Sequence, residues 1–164
     1  MSELPVYELT RIFDAPRDLV WKAWTDPALL ARWYGPNVET IVHELDVRPG
    51  GRWLTEMRMA NGSGFQRADF TDVNAPESFT CLMSTTDETW QPAANPMMPD
   101  WPRTLLTKVN LTETGDITHL RLIWQPHEAT EAEIACFAAA IEGAGKGWSA
   151  GMDLLEKLLA ELAG

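Results

Sequence analysis

Residues 148–162 read WSAGMDLLEKLLAEL. Trp148, Met152, Leu155, Leu159 and Leu162 recur at steps of three and four, and Leu154 and Leu158 widen the stripe. This spacing draws one apolar face along a helix. Lys157 and Glu161 fall off the face and Glu156 borders it. Such a helix is about 22 Å long at ~1.5 Å rise per residue, and it cannot hide the stripe alone. The rest of the chain must supply an apolar surface that either fills the space beside the helix or leaves a pocket there.

The preceding sequence offers mainly strands. Val6 to Phe13 alternates roughly and ends at Asp14-Ala15-Pro16, where Pro16 suits the first turn of a helix. Leu19, Val20, Ala23 and Trp24 share one helical face. Thr25-Asp26-Pro27 then stops that helix and starts another, with Asp26 as cap and Pro27 at the first position. The second helix carries Leu29, Leu30 and Trp33 and ends before Gly35-Pro36.

From Val38 the period falls to two. Ile41, Leu45 and Val47 share one parity with His43, and Arg48-Pro49-Gly50-Gly51-Arg52 reads as a turn. Trp53, Thr55, Met57 and Met59 alternate against Arg52, Glu56 and Arg58, and Asn61-Gly62 is a hairpin signal. Phe65–Val73, the run around Phe79, Cys81 and Met83, Leu105–Leu111 and Ile117–Gln125 continue the meander.

Two segments break the regularity. Residues 87–103 hold Pro92, Pro96, Pro99 and Pro102, which exclude a regular element, yet also Trp90, Met97, Met98 and Trp101. So much apolar surface needs something to cover. The expectation is that this loop packs over one end of the groove between sheet and helix, with Trp101 or Met97 reaching a cavity, or else extends the core at the sheet edge. Thr130 and Glu133 fit a capping box for a helix through Ile134, Phe137, Ala138 and Ile141. Gly143, Gly145 and Gly147 weaken that helix by ~1 kcal/mol each relative to Ala. They mark a break, a kink or a close approach to the sheet.

The resulting fold class is α+β. An antiparallel sheet of about six to seven strands wraps a long C-terminal helix, with two short helices after the first strand, and residues 1–164 form one domain. Acidic residues number 24 against 13 basic ones, a formal net charge of −11. This surface repels phosphate backbones and anionic membranes. The opening MSELPVYELT has no basic region followed by an apolar run, and no stretch approaches the ~20 apolar residues of a membrane span. With only Cys81 and Cys136, both in apolar contexts, the chain is expected to be a reduced cytoplasmic protein.

Several motifs carry a resemblance. They are Phe13-Asp14-Ala15-Pro16 with Val20-Trp21, Thr25-Asp26-Pro27, Arg32-Trp33-Tyr34-Gly35-Pro36, and Asp46-Val47-Arg48-Pro49-Gly50-Gly51 with Arg52 and Trp53. Asn95-Pro96-Met97-Met98-Pro99-Asp100-Trp101-Pro102 and Gly147-Trp148-Ser149 complete the set. Over nearly its whole length the chain resembles the SRPBCC or START-like superfamily, which includes the birch-pollen allergen. Within it, the chain is similar to homologues of the activator of the heat-shock-chaperone ATPase. The resemblance implies the helix-grip fold and a hydrophobic cavity between sheet and long helix, but no catalytic residues at this chain's positions. The chaperone activator proper carries an additional N-terminal domain. This chain begins directly at its first strand, which argues against co-chaperone activity.

Chemistry is sparse. His43, His119 and His127 are scattered and no Cys-x-x-Cys is present, so no metal or other cofactor is expected. No Gly-x-Ser-x-Gly elbow or phosphate loop occurs. Asp46/Arg48 and Glu56/Arg58 read as partly exposed pairs worth ~0–1 kcal/mol. His43 reads as a satisfied strand histidine, or as a general base if a carboxylate stands at its ring inside a cavity. The stronger signal is eight tryptophans and seven methionines. Trp53, Met57, Phe65, Trp90, Met97, Trp101, Trp124, Trp148 and Met152 are the candidate ligand-binding residues, alternatively plain core. The function expected is binding of a small hydrophobic or amphipathic molecule without catalysis. The alternatives are an enzyme of cyclase, dehydratase or hydrolase type in the same cavity, or a chaperone-regulating interaction module. A homodimer stays open.

Overall fold

A computed structural model gives the architecture. It describes residues 4–35, 38–60, 62–95 and 98–163, less the side chain of residue 144. Pro36, Asn61, Pro96 and Met97 lie outside the described residues. The element order is β1 (Tyr7–Phe13), α1 (Arg17–Thr25), α2 (Pro27–Trp33), β2 (Glu39–Leu45), β3 (Arg52–Met59), β4 (Gly62–Asn74), β5 (Ser78–Thr86), β6 (Thr104–Thr114), β7 (Ile117–Pro126) and α3 (Glu131–Ala163). The strands form one antiparallel sheet in the order β1-β7-β6-β5-β4-β3-β2. With α3 against one face, this is the helix-grip arrangement.

Local chemistry sets the helix boundaries. The Asp26 carboxylate accepts from the backbone N–H of Ala28 at 3.0 Å and Leu29 at 3.4 Å, with Pro27 in the first turn. Pro16 is the N-cap of α1 rather than its first helical residue, and its carbonyl accepts from Leu19 and Val20. The Thr130 hydroxyl accepts from the Glu133 N–H and the Glu133 carboxylate from the Thr130 N–H, both at 3.1 Å. Glu133 also accepts from the Arg103 N–H at 2.7 Å, tying the proline-rich loop to the start of α3.

The glycines do not break the last helix. It runs unbroken for 33 residues, about 50 Å at ~1.5 Å per residue. Packing compensates for their poor propensity. A Cβ on Gly145 would stand 2.7 Å from Cε1 of Tyr7, so the absence of a side chain lets β1 approach, and the Tyr7 hydroxyl donates to the Gly145 carbonyl at 3.2 Å. A Cβ on Gly143 or Gly147 would meet nothing within 4 Å. Farther along, Arg11 of β1 donates to the Asp153 carboxylate at 2.8 Å and to the Ser149 hydroxyl at 3.2 Å.

The stripe of α3 is buried at Trp148, Met152, Leu155, Leu158 and Leu159. Leu162 is 39% exposed, because the last turn runs past the core. Facing the stripe are Phe13, Trp24, Leu30 and Trp33 from the first third of the chain and alternate residues of β3–β7.

Removing a buried stripe residue should be costly. Leu155→Ala is expected to lose ~2–5 kcal/mol in denaturant unfolding, and Leu162→Ala less than about 0.5 kcal/mol. Gly143→Ala should stabilise by ~0.5–1 kcal/mol through helix propensity, whereas Gly145→Ala should destabilise by pushing Tyr7 off the helix. Equal responses at the two glycines would contradict this packing.

Candidate functional site

Where α3 passes the middle of the sheet, a cavity of about 190 Å³ remains. Its floor is Met57 of β3, Gln66 of β4 and Met83 of β5, with Trp124 of β7 at one end. Trp33, Tyr34 and Gly35 wall it at the end of α2; Gly147, Trp148 and Gly151 roof it from α3. Trp33, Tyr34, Met83, Trp124 and Trp148 are buried. Gly147 is exposed and Gly35, Met57 and Gln66 are half-buried, so the cavity reaches the surface on that side.

The end of α2 is built to deliver Tyr34 into this space. The Tyr34 N–H closes the helix on the Leu30 carbonyl at 3.0 Å. Gly35 then takes φ +79°, and a Cβ there would stand 2.6 Å from Oγ1 of Thr40. Glycine satisfies both conditions, and the Thr40 hydroxyl donates to the Tyr34 carbonyl at 2.6 Å. The Tyr34 ring lies edge-on to Trp53 at 4.9 Å and to Trp148 at 5.8 Å. Its hydroxyl donates to Oε1 of Gln66 at 2.5 Å and lies 3.7 Å from the Met83 sulfur. Burial pushes the pKa of this hydroxyl up, against the lowering effect of the Gln66 bond, so it stays a neutral donor.

The described lining carries no ionisable group other than this phenol. An engineered apolar cavity of ~150 Å³ takes benzene, whereas drug-sized pockets run ~300–1,000 Å³. A space of about 190 Å³ therefore suits one ring with a small substituent, not a lipid.

A second depression of about 620 Å³ lies between Asn95, Met98 and Trp101 of the proline-rich loop and Ala139, Ala140 and Gly143 of α3. Exposed Ala139, Glu142, Gly143 and Lys146 make it a surface groove despite its larger volume. The smaller cavity combines buried aromatic walls with a polar pair, and it is the better candidate.

Of the nine residues singled out in the sequence, Met57, Trp124 and Trp148 line the cavity. Trp53 and Met152 are buried in the core, Trp53 behind Tyr34. Trp101 borders the surface groove, tilted against Trp124 and Phe137 at 5.5 Å each. Phe65 pairs with Glu56 across β3 and β4, which puts it on the outer face of the sheet. Trp90 joins it there at 5.4 Å, and Met97 lies outside the described residues. The proline-rich loop thus straddles the sheet: Trp101 enters the gap beside α3 while Trp90 turns to the other side. Trp33, Tyr34, Gly35, Gln66, Met83, Gly147 and Gly151 complete the lining and are not among those nine. The available signal was Gln66, a polar residue sharing parity with Ala68 and Phe70.

His43 does not share the inward parity of Leu45. A bulge between Val42 and Glu44 shifts the register, so Val42 and Leu45 turn inward and His43 outward. Its Nε2 stands 2.8 Å from Oε1 of Glu56, outside any cavity, under the edge of Trp90 at 5.4 Å. Glu56 also accepts from Ser63 at 2.8 Å and Arg58 at 3.2 Å. Hydrogen bonds from His43 and Ser63, with smaller help from Arg58, hold its carboxyl at about 2 against an ordinary 4.5. Asp46 and Arg48 form an exposed pair at 2.7 Å. Among the described residues, no three His, Cys, Asp or Glu side chains group as a metal site would require, and no helix is long and apolar enough to cross a membrane.

A carboxylate with a depressed pKa stabilises the fold fully above its unfolded value, and that contribution fades as pH falls toward the folded one. The stability difference between wild type and Glu56→Gln should therefore be larger at about pH 6 than at about pH 3 in urea unfolding. An unchanged difference would show that the outer-face network does not hold Glu56 ionised.

Residues 14–160 match the family described as Activator of Hsp90 ATPase homolog 1-like protein. Among curated proteins none matches the chain. A crystal structure of a Mycobacterium smegmatis protein is similar at TM-score 0.78 and 23% identity, over 96% of each chain. A solution structure from Arthrobacter aurescens gives 0.80 and 22%, over 95% of this chain and 86% of that one. A Staphylococcus epidermidis protein gives 0.77 and 21%, over 98% and 93%. At such identities these likenesses speak for the fold alone. The family match spans most of the sequence, and the chain belongs to the Activator of Hsp90 ATPase homolog 1-like family.

Proposed function

We propose that this protein binds a small hydrophobic or amphipathic molecule in the cavity between sheet and α3, without catalysing a reaction on it. The observation that carries the reading is the combination of about 190 Å³ of space, buried indole walls, two methionines and a single hydroxyl–amide pair. Methionine adapts its shape to varied ligands at little cost. The pre-packed rings lower the ordering cost of binding. Acid–base chemistry needs a group that changes protonation near neutrality; Tyr34, with its pKa raised by burial, does not supply one.

The family description also points to chaperone regulation. That reading needs a docking surface. The exposed large apolar side chains among the described residues are Leu4 and Val6 before β1, Ile12, Met59 and Ile117 at or near strand ends, and Leu162. Ile12 and Ile117 are neighbours on β1 and β7, whereas Met59 and Leu162 stand on β3 and α3, so these side chains do not gather on one element, which favours the cavity.

Gly147 gives the test. It lines the cavity, and a Cβ there meets nothing within 4 Å. Toluene should quench tryptophan fluorescence saturably in the wild type. Gly147→Leu should abolish the quenching while keeping the unfolding midpoint at or above wild type. Undiminished saturable quenching in the variant, or none in the wild type, would contradict the reading.

A further inference from the structure

The cavity's polar chemistry defines what it selects. The Tyr34 hydroxyl spends its proton on Oε1 of Gln66 at 2.5 Å. This fixes the orientation of the Gln66 amide, whose N–H groups make no hydrogen bond among the described residues. Gln66 is half-buried and lines the cavity, so a donor is presented to whatever occupies it. The remaining described lining side chains are indoles, thioethers and glycines. No lysine, arginine or histidine among them could neutralise an anion, and no carboxylate a cation. A charged ligand would lose its hydration without a counter-charge.

We infer that the site recognises a neutral, single-ring-sized molecule carrying one hydrogen-bond acceptor, such as a ketone, ester or ether oxygen, which Gln66 meets with its amide N–H. Tyr34 acts as the positioning residue that holds the amide in this orientation. This specificity rests on the cavity being a binding site, as proposed above.

Three isosteres separate the two ideas. Acetophenone carries the ring and the acceptor, α-methylstyrene replaces the carbonyl by a methylene, and benzoate replaces the methyl ketone by a carboxylate. Titration of the intact protein, followed by tryptophan fluorescence and calorimetry, should give acetophenone about three- to tenfold tighter binding than α-methylstyrene, as one net neutral hydrogen bond provides. Benzoate should bind at least about tenfold more weakly than acetophenone. Gln66→Leu should erase the preference for acetophenone while leaving α-methylstyrene within about twofold of its wild-type affinity. If α-methylstyrene binds as well as acetophenone, or benzoate binds best, the specificity is refuted while the cavity reading stands. If none of the three binds, the cavity reading itself fails. The wild-type series decides the matter even if Gln66→Leu folds poorly.

Discussion

Trp148 stands where four elements meet. Its ring stacks on Trp24 of α1 at 6.4 Å and 23°, meets Tyr34 edge-on at 5.8 Å after α2, and meets Trp124 of β7 edge-on at 5.9 Å. Trp24 continues the contact to Trp33 at 4.6 Å and Phe79 at 5.6 Å. Trp124 extends it to Phe137 at 5.6 Å and Trp101 at 5.5 Å. Sheet, short helices and long helix are joined through one aromatic mesh, and the apolar stripe of α3 is covered because that mesh exists. Edge-to-face pairs of this kind add ~0.5–1.5 kcal/mol each beyond area burial, so the mesh also fixes the position of α3.

Large rigid rings fill space unevenly. Tyr34 and Trp148 border a space beside the helix, and Gly147 and Gly151 on the facing turns add no side chain to close it. Interiors normally pack without voids larger than a water molecule. The space of about 190 Å³ beside these rings opens to the surface at Gly147 and carries a hydroxyl–amide pair at its wall. The buried indole N–H groups of Trp24, Trp53 and Trp124 make no hydrogen bond among the described residues, although each ring packs against aromatic neighbours. The core accepts that cost to keep these rings where they stand.

Periodicity read the elements well because it reports burial directly. The stripe of α3, the Asp26-Pro27 start of α2, the Thr130–Glu133 box and the meander all follow from spacing. Three features were beyond it. The unbroken α3 depends on what lies opposite Gly145, which is Tyr7, 138 residues away. The outward turn of His43 depends on a bulge, which inverts parity locally without a mark in the alternation. Trp90 and Trp101, eleven positions apart by number, reach opposite faces of the sheet. Composition can count aromatic residues but cannot say on which side of a sheet a proline-rich loop delivers them. The polar Gln66 on the inward parity of β4 was legible, but its pairing with Tyr34 was not, because only the fold brings the two together.

Family membership gives the scaffold, and the rings and the Tyr34–Gln66 pair give this chain its own interior. Whether that interior is open is the point on which the account turns. Xenon enters dry apolar cavities without needing any polar partner. In a methyl-labelled sample under xenon pressure, the methyl signals of Met57 and Met83 should shift saturably. Met59, 48% exposed at the end of β3, should show only the small linear drift of a surface group. Saturable shifts confined to the two cavity methionines are the predicted result. No saturable shift at either one would mean that side chains close the space in solution, and the binding function would have no site.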